Sequence, residues 1–140
     1  MAGSKSDFYE NRVLNLALRA ATLTPAITPY VALFTGTLTG DTPGTEVTLG
    51  AYARVSAPAT TWGPTSTAAG DSTAATLTNA VAITFPLPTA NWGTITHMGI
   101  FDAATAGNAL YYADLTTART INSGDSAPSF APGVLTLSEQ

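Results

Sequence analysis

The segment TLTPAITP, residues 22–29, limits the possible folds of this chain more than any other feature. Pro25 and Pro29 lack a backbone N–H and clash with the preceding helical turn, so no helix passes through them. The chain before them reads as a helix. The chain after them is cut by glycine and proline into short β-branched and aromatic runs, the pattern of strands joined by turns.

In SKSDFYENRVLNLALRAAT, Ser6 or Asp7 supplies a cap. Glu10 lies three residues after Asp7, a capping-box spacing. Tyr9, Val13, Leu16 or Ala17 and Ala20 recur at helical spacing, as do Leu14, Leu18 and Ala21. The spacing predicts an amphipathic helix over about 6–22 whose broad apolar stripe must pack on something. Acids in its first turn and Arg19 in its last complement the helix dipole.

Beyond the prolines, PYVALFTG (29–36) predicts a buried strand, and TLTGDTPGTEVTLGA a long turn-rich connection. YARVSAP (52–58) alternates and stops at Pro58. In ATLTNAVAITFPLP (75–88), Leu77 and then Val81, Ile83 and Phe85 at period two predict one half-buried strand. NWGTITHMGIFDAATAGNALYYADL (91–115) predicts a hairpin, with Ile95, His97, Gly99 and Phe101 on one face and Thr94, Thr96, Met98 and Ile100 on the other. Asp102 opens its turn, a loop of about five residues, and Gly107-Asn108 supply positive φ. RTIN and GVLTLSE add strands on either side of a turn, SGDSAPSFAP. The expected fold is mainly β: one domain over residues 1–140, a β-sandwich or jelly-roll-like body over about 28–138 with one N-terminal amphipathic helix.

Charged residues are 10% of the chain, against roughly a quarter in typical domains. The surface must be small and neutral, which suits close protein–protein contact. The net charge is −4 and the five bases do not cluster, so nucleic acid is not an expected partner. No apolar run spans a membrane, and MAGSKSDFYENR has no signal-peptide core. Both point to a soluble protein made in a cytoplasm, with no membrane partner.

Chemistry finds little support. The one histidine, His97, lies five residues from Asp102, about 16 Å along an extended strand, so the two do not meet locally. Catalysis by a hydroxyl nucleophile needs hydroxyl, imidazole and acid to converge, and no nucleophile-elbow motif is present. His97 therefore reads as a strand histidine bonded to neighbouring backbone or solvent. Without cysteine only oxygen-rich metal sites remain, and Asp41 and Glu46 in TGDTPGTE lack a calcium-loop pattern. No catalytic, cofactor or metal residue is expected, and no cofactor. Trp92 enters a strand and reads as core or interface. Trp62 sits in a Gly/Pro/Thr-rich loop and is the better candidate for surface contact, with a glycan as the alternative ligand.

Taken in order, KSDFYENRVLN, TPYVALFT, GTEVTLGAYARV, ITFPLPTANWGTITHMGIFDAATAGNALYYADL, RTINSGD and PGVLTLSE resemble a family of small tailed-phage virion proteins. Its members are described as tail-fibre-like or as capsid decoration (cement) proteins. The resemblance implies a non-enzymatic virion component assembled in the host bacterial cytoplasm. The preferred expectation is a homotrimeric decoration protein on the capsid exterior, bound to the major capsid protein. The alternative is a tail fibre or adaptor used in host attachment. Tyr9, Leu14, Leu18, Trp62 and Tyr111 are the expected oligomer or shell contacts.

Overall fold

The structure is a computed structural model and describes residues 3–19, 27–37, 44–65 and 75–139. In chain order it comprises β1 (Gly3–Lys5), α1 (Asp7–Leu18), β2 (Tyr30–Thr35), β3 (Thr45–Glu46), β4 (Val55–Ser56), a 3-10 turn at Ala59–Thr61, β5 (Ala75–Thr78), β6 (Ile83–Thr84), β7 (Gly93–Phe101), β8 (Ala109–Ile121), β9 (Ser129–Phe130) and β10 (Thr136–Glu139). The chain is mainly β with one N-terminal helix, as the hydrophobic pattern requires. Ala20, Ala21, Pro25 and Asp41, which bear on the helix end and on the oxygen-ligand loop, lie outside the described residues.

An antiparallel sheet runs in the order β1-β8-β7-β2-β3, and β4 shares the β3 edge of β2. Two ribbons, β10–β5 and β6–β9, complete the fold. Alternation along β2 sets the layers. Val31 and Leu33 face a core that also holds Ile83 and Phe85, Trp92, Met98 and Ile100, and Leu135 and Leu137. Ala32 and Phe34 face the other way and meet Phe101. The ribbons thus cover one face of the large sheet, a sandwich-like arrangement. Phe34 and Phe101 stack on the opposite face with ring centroids 5.8 Å apart.

Several expectations need correction. The strand expected across 75–88 is two strands, because Asn79 turns inward between them. Its Nδ2 donates to the carbonyls of Val81 and Ala131, and its Oδ1 accepts from Leu135 N, each at 2.9 Å. Val81, expected inside, is thereby left exposed. RTIN is not a separate strand but the end of β8, and β9 forms inside the segment expected to be a turn. YARVSAP contributes only the two residues of β4 to a ladder. The hairpin loop spans seven residues, 102–108, and its positive φ angles belong to Ala106 and Gly107, not Asn108.

The helix differs from expectation in two ways. Ser6 is the cap: its hydroxyl accepts from Tyr9 N at 3.2 Å and donates to the Ala109 carbonyl. That puts Tyr9 at the third helical position, so Glu10 falls one residue too late for the Asp7–Glu10 capping box. The helix also buries none of its residues fully. It touches β8 through Tyr9, whose ring lies 5.0 Å from that of Tyr111. Leu14 and Leu18 are 57% and 79% exposed, so this half of the apolar stripe has no cover among the described residues.

Candidate functional site

The hairpin β7–β8 holds the chain's only imidazole, and strand pairing decides what that imidazole meets. Against β2, Phe34 pairs with His97 but Thr35 pairs with Ile95, so Thr96 is an extra residue. The insertion resets the alternation. Ile95 joins Met98 and Ile100 in the main core, whereas His97 turns to the Phe34 side. The expected shared face of Ile95 and His97 is therefore not formed. Against β8, His97 lies opposite Asp114 in the regular register that continues to Ile100 and Tyr111, and the shift comes only beyond it, where Ile95 meets Arg119.

His97 is buried, with Nδ1 2.7 Å from Thr96 Oγ1 and Nε2 2.6 Å from Asp114 Oδ1. Asp102 is elsewhere, as the spacing argument requires: its carboxylate accepts from Asn108 N at 2.7 Å and Asn108 Nδ2 at 3.0 Å, closing the loop. A hydroxyl, an imidazole and a carboxylate do line up, but through Thr96 and Asp114. Sequence reasoning missed both, since only the pairing of β7 with β8 brings Asp114 to His97. The Thr96 hydroxyl donates its single proton to the Gly36 carbonyl at 2.7 Å. A nucleophilic hydroxyl would have to give that proton to the imidazole instead. The cluster as built therefore ties the bulge to the end of β2. The Asp114 side chain is 77% exposed, so water can replace it and the pair contributes at most about 1 kcal/mol.

A second polar cluster clamps the hairpin loop. Arg54 forms a two-pronged ion pair with Glu46, both contacts 2.7 Å, and donates to the carbonyls of Ala103 and Ala106 at 2.9 and 2.7 Å. Its guanidinium sits 3.8 Å above the Phe101 ring. The Tyr52 hydroxyl donates to Glu46 Oε1 at 3.1 Å and accepts from Leu33 N at 2.9 Å. Burial raises the Tyr52 phenol well above its ordinary value. Four of the five Arg54 N–H donors and the Tyr52 hydroxyl are committed within the fold, which makes the cluster a brace for the loop. Among the described residues, no three His, Asp or Glu side chains gather as a metal set.

The expected contact residues divide. Tyr9 and Tyr111 are half-buried against each other, while Leu14 and Leu18 lie on the open side of the helix. Trp62 is less free than expected, because its ring packs on the core and its Nε1 donates to the Ala57 carbonyl at 2.9 Å. Trp92 is buried, edge-on to Tyr52 at 5.3 Å. A shallow apolar depression opens where Leu33, Ile95, Leu115, Ile121 and Phe130 meet, with Arg119 among its lining residues.

Comparison with known protein families bears on the class of this chain. The family model described as podophage GP4 fiber I protein gp80 matches residues 4–138, nearly the whole chain. This chain belongs to that family. The podophage fiber family is a phage virion protein family, which agrees with the resemblance carried by the hairpin motif. No curated protein matches this member. For a podophage fiber family protein, surfaces and braces are the features to read for function, and both lie on the hairpin and helix just described.

Proposed function

We propose that this chain is a non-catalytic structural module of the phage tail fibre or its adaptor. It is held in the virion by contact with neighbouring tail proteins and with further copies of itself. The family match over residues 4–138 carries this reading and supports the tail alternative better than the capsid-decoration expectation. The low charge, the uncovered leucines of α1 and the committed hydroxyl of Thr96 support assembly without a chemical step. Neither nucleic acid nor membrane is a partner in this reading.

Particle imaging tests it. In virions carrying an epitope-tagged chain, the expected result is label confined to the tail, with an incomplete fibre assembly when the gene is deleted. Label at repeated positions across the head shell would overturn the tail reading and restore the decoration role.

A further inference from the structure

Two features of the chain are left open and are complementary in charge. The first is the outward ridge of α1. Glu10, Leu14 and Leu18 follow one another at intervals of four, so they form one line on the helix surface. All three are exposed, and the Glu10 side chain has no hydrogen-bond or ion-pair partner among the described residues. The second is the apolar depression near the far end of β8 from α1, walled by Leu33, Ile95, Leu115, Ile121 and Phe130. Arg119 lines it, is exposed, and has no side-chain partner among the described residues. One carries an acid followed by two leucines, and the other a cation beside an apolar hollow. Within one chain the two cannot meet, because α1 is anchored by Ser6 to β8 at Ala109 and Leu110. Arg119 lies ten residues further along the same strand, roughly 30 Å away.

We infer that the helix ridge of one copy seats in the β8 depression of the next, with Glu10 paired to Arg119. This rests on the self-association in the proposed function and specifies its geometry. The contact is heterologous, since two different surfaces of the same chain meet. Such contacts close into rings when the rotation between copies allows, and otherwise extend along an axis. Both forms suit a repeated component of a fibre. The leucines supply apolar burial, and the ion pair fixes which end of the helix lies by Arg119.

Reciprocal charge exchange in the purified chain tests this, with mass measured by light scattering during gel filtration. Wild type is expected to associate as concentration rises. Glu10→Arg and Arg119→Glu are each expected to weaken association about tenfold or more, because each sets like charges against one another at the contact. The double variant Glu10→Arg/Arg119→Glu is expected to restore it. Leu14→Asp and Leu18→Asp should give monomers with unchanged thermal unfolding, since both positions face solvent in the single chain. A wild type that stays monomeric at every concentration would overturn the inference. So would an oligomer indifferent to the single variants, or a double variant that does not recover. None of these outcomes bears on tail location, which the particle imaging decides separately.

Discussion

Replacing Asn79 by alanine is expected to be among the most damaging single changes to this fold. Asn79 is 1% exposed, and its carboxamide makes three hydrogen bonds, to Val81 O, Ala131 O and Leu135 N. Its backbone adds two more, donating to Leu135 O and accepting from Gly133 N. Alanine keeps the backbone pair but leaves Val81 O and Leu135 N without partners, while Ala131 O keeps its bond from Val134 N. An orphaned buried polar group costs about 1–3 kcal/mol, so two set an upper bound of about 6. Water entering the vacated space recovers part of this, and the expected loss is about 2–4 kcal/mol. Against a total stability of about 5–15 kcal/mol for a domain, that is a large fraction. Asn91→Ala is the control: it removes one exposed hydrogen bond, from Ser123 N at 2.9 Å, which water replaces for about 0.5 kcal/mol or less. Equilibrium urea unfolding followed by tryptophan fluorescence reports both. The comparison is made at one low protein concentration, so that self-association does not enter. With a denaturant slope of about 2 kcal/mol per molar, Asn79→Ala should lower the midpoint by about 1–2 M. A difference between the two variants of less than about 1 kcal/mol would refute the claim that this carboxamide holds the ribbons in place.

Other consequences follow from the braces. Gly99→Ala places a methyl group 2.9 Å from the Phe101 ring and 3.1 Å from the Phe34 ring, so the stacked pair must separate. The expected cost is about 1–3 kcal/mol in urea unfolding, and a neutral result would show that the stack adapts freely. Because burial raises the Tyr52 phenol, the folded state holds its proton above pH 10, where the unfolded chain releases it. Its contribution is therefore complete below the unfolded tyrosine value and falls as pH rises past it, by up to about 1.4 kcal/mol per pH unit. Tyr52→Phe should be less stable than wild type at pH 7 through loss of the Leu33 and Glu46 bonds, yet lose less between pH 10 and 11. Equal alkaline slopes would remove Tyr52 as the cause. Asp114→Ala should cost about 1 kcal/mol or less, since water reaches the imidazole from the Asp114 side, and a cost above about 3 would mark the pair as a buried brace.

The hydrophobic pattern and the prolines by themselves determined the class of this protein. Pro25 and Pro29 confine the helix to the N-terminal side, and period-two runs make β2 and the β7–β8 hairpin unavoidable. The spacing of His97 and Asp102 alone kept those two side chains apart. Low charge, too, is a property of composition, and it directs attention to surfaces. Tertiary structure decided everything that depends on which strand lies beside which. Thr96 became a bulge because β2 imposes a register that the β7 sequence does not encode, and this reversed the face of Ile95 relative to His97. Asn79 interrupts a run of good strand residues because its partners, Val81, Ala131 and Leu135, surround it only once the C-terminal segment has folded back. The leucine stripe of α1 reads as core from its period, yet half of it faces outward. A period of 3.6 reports that one face is apolar, and it does not say whether the chain itself or a neighbour covers that face.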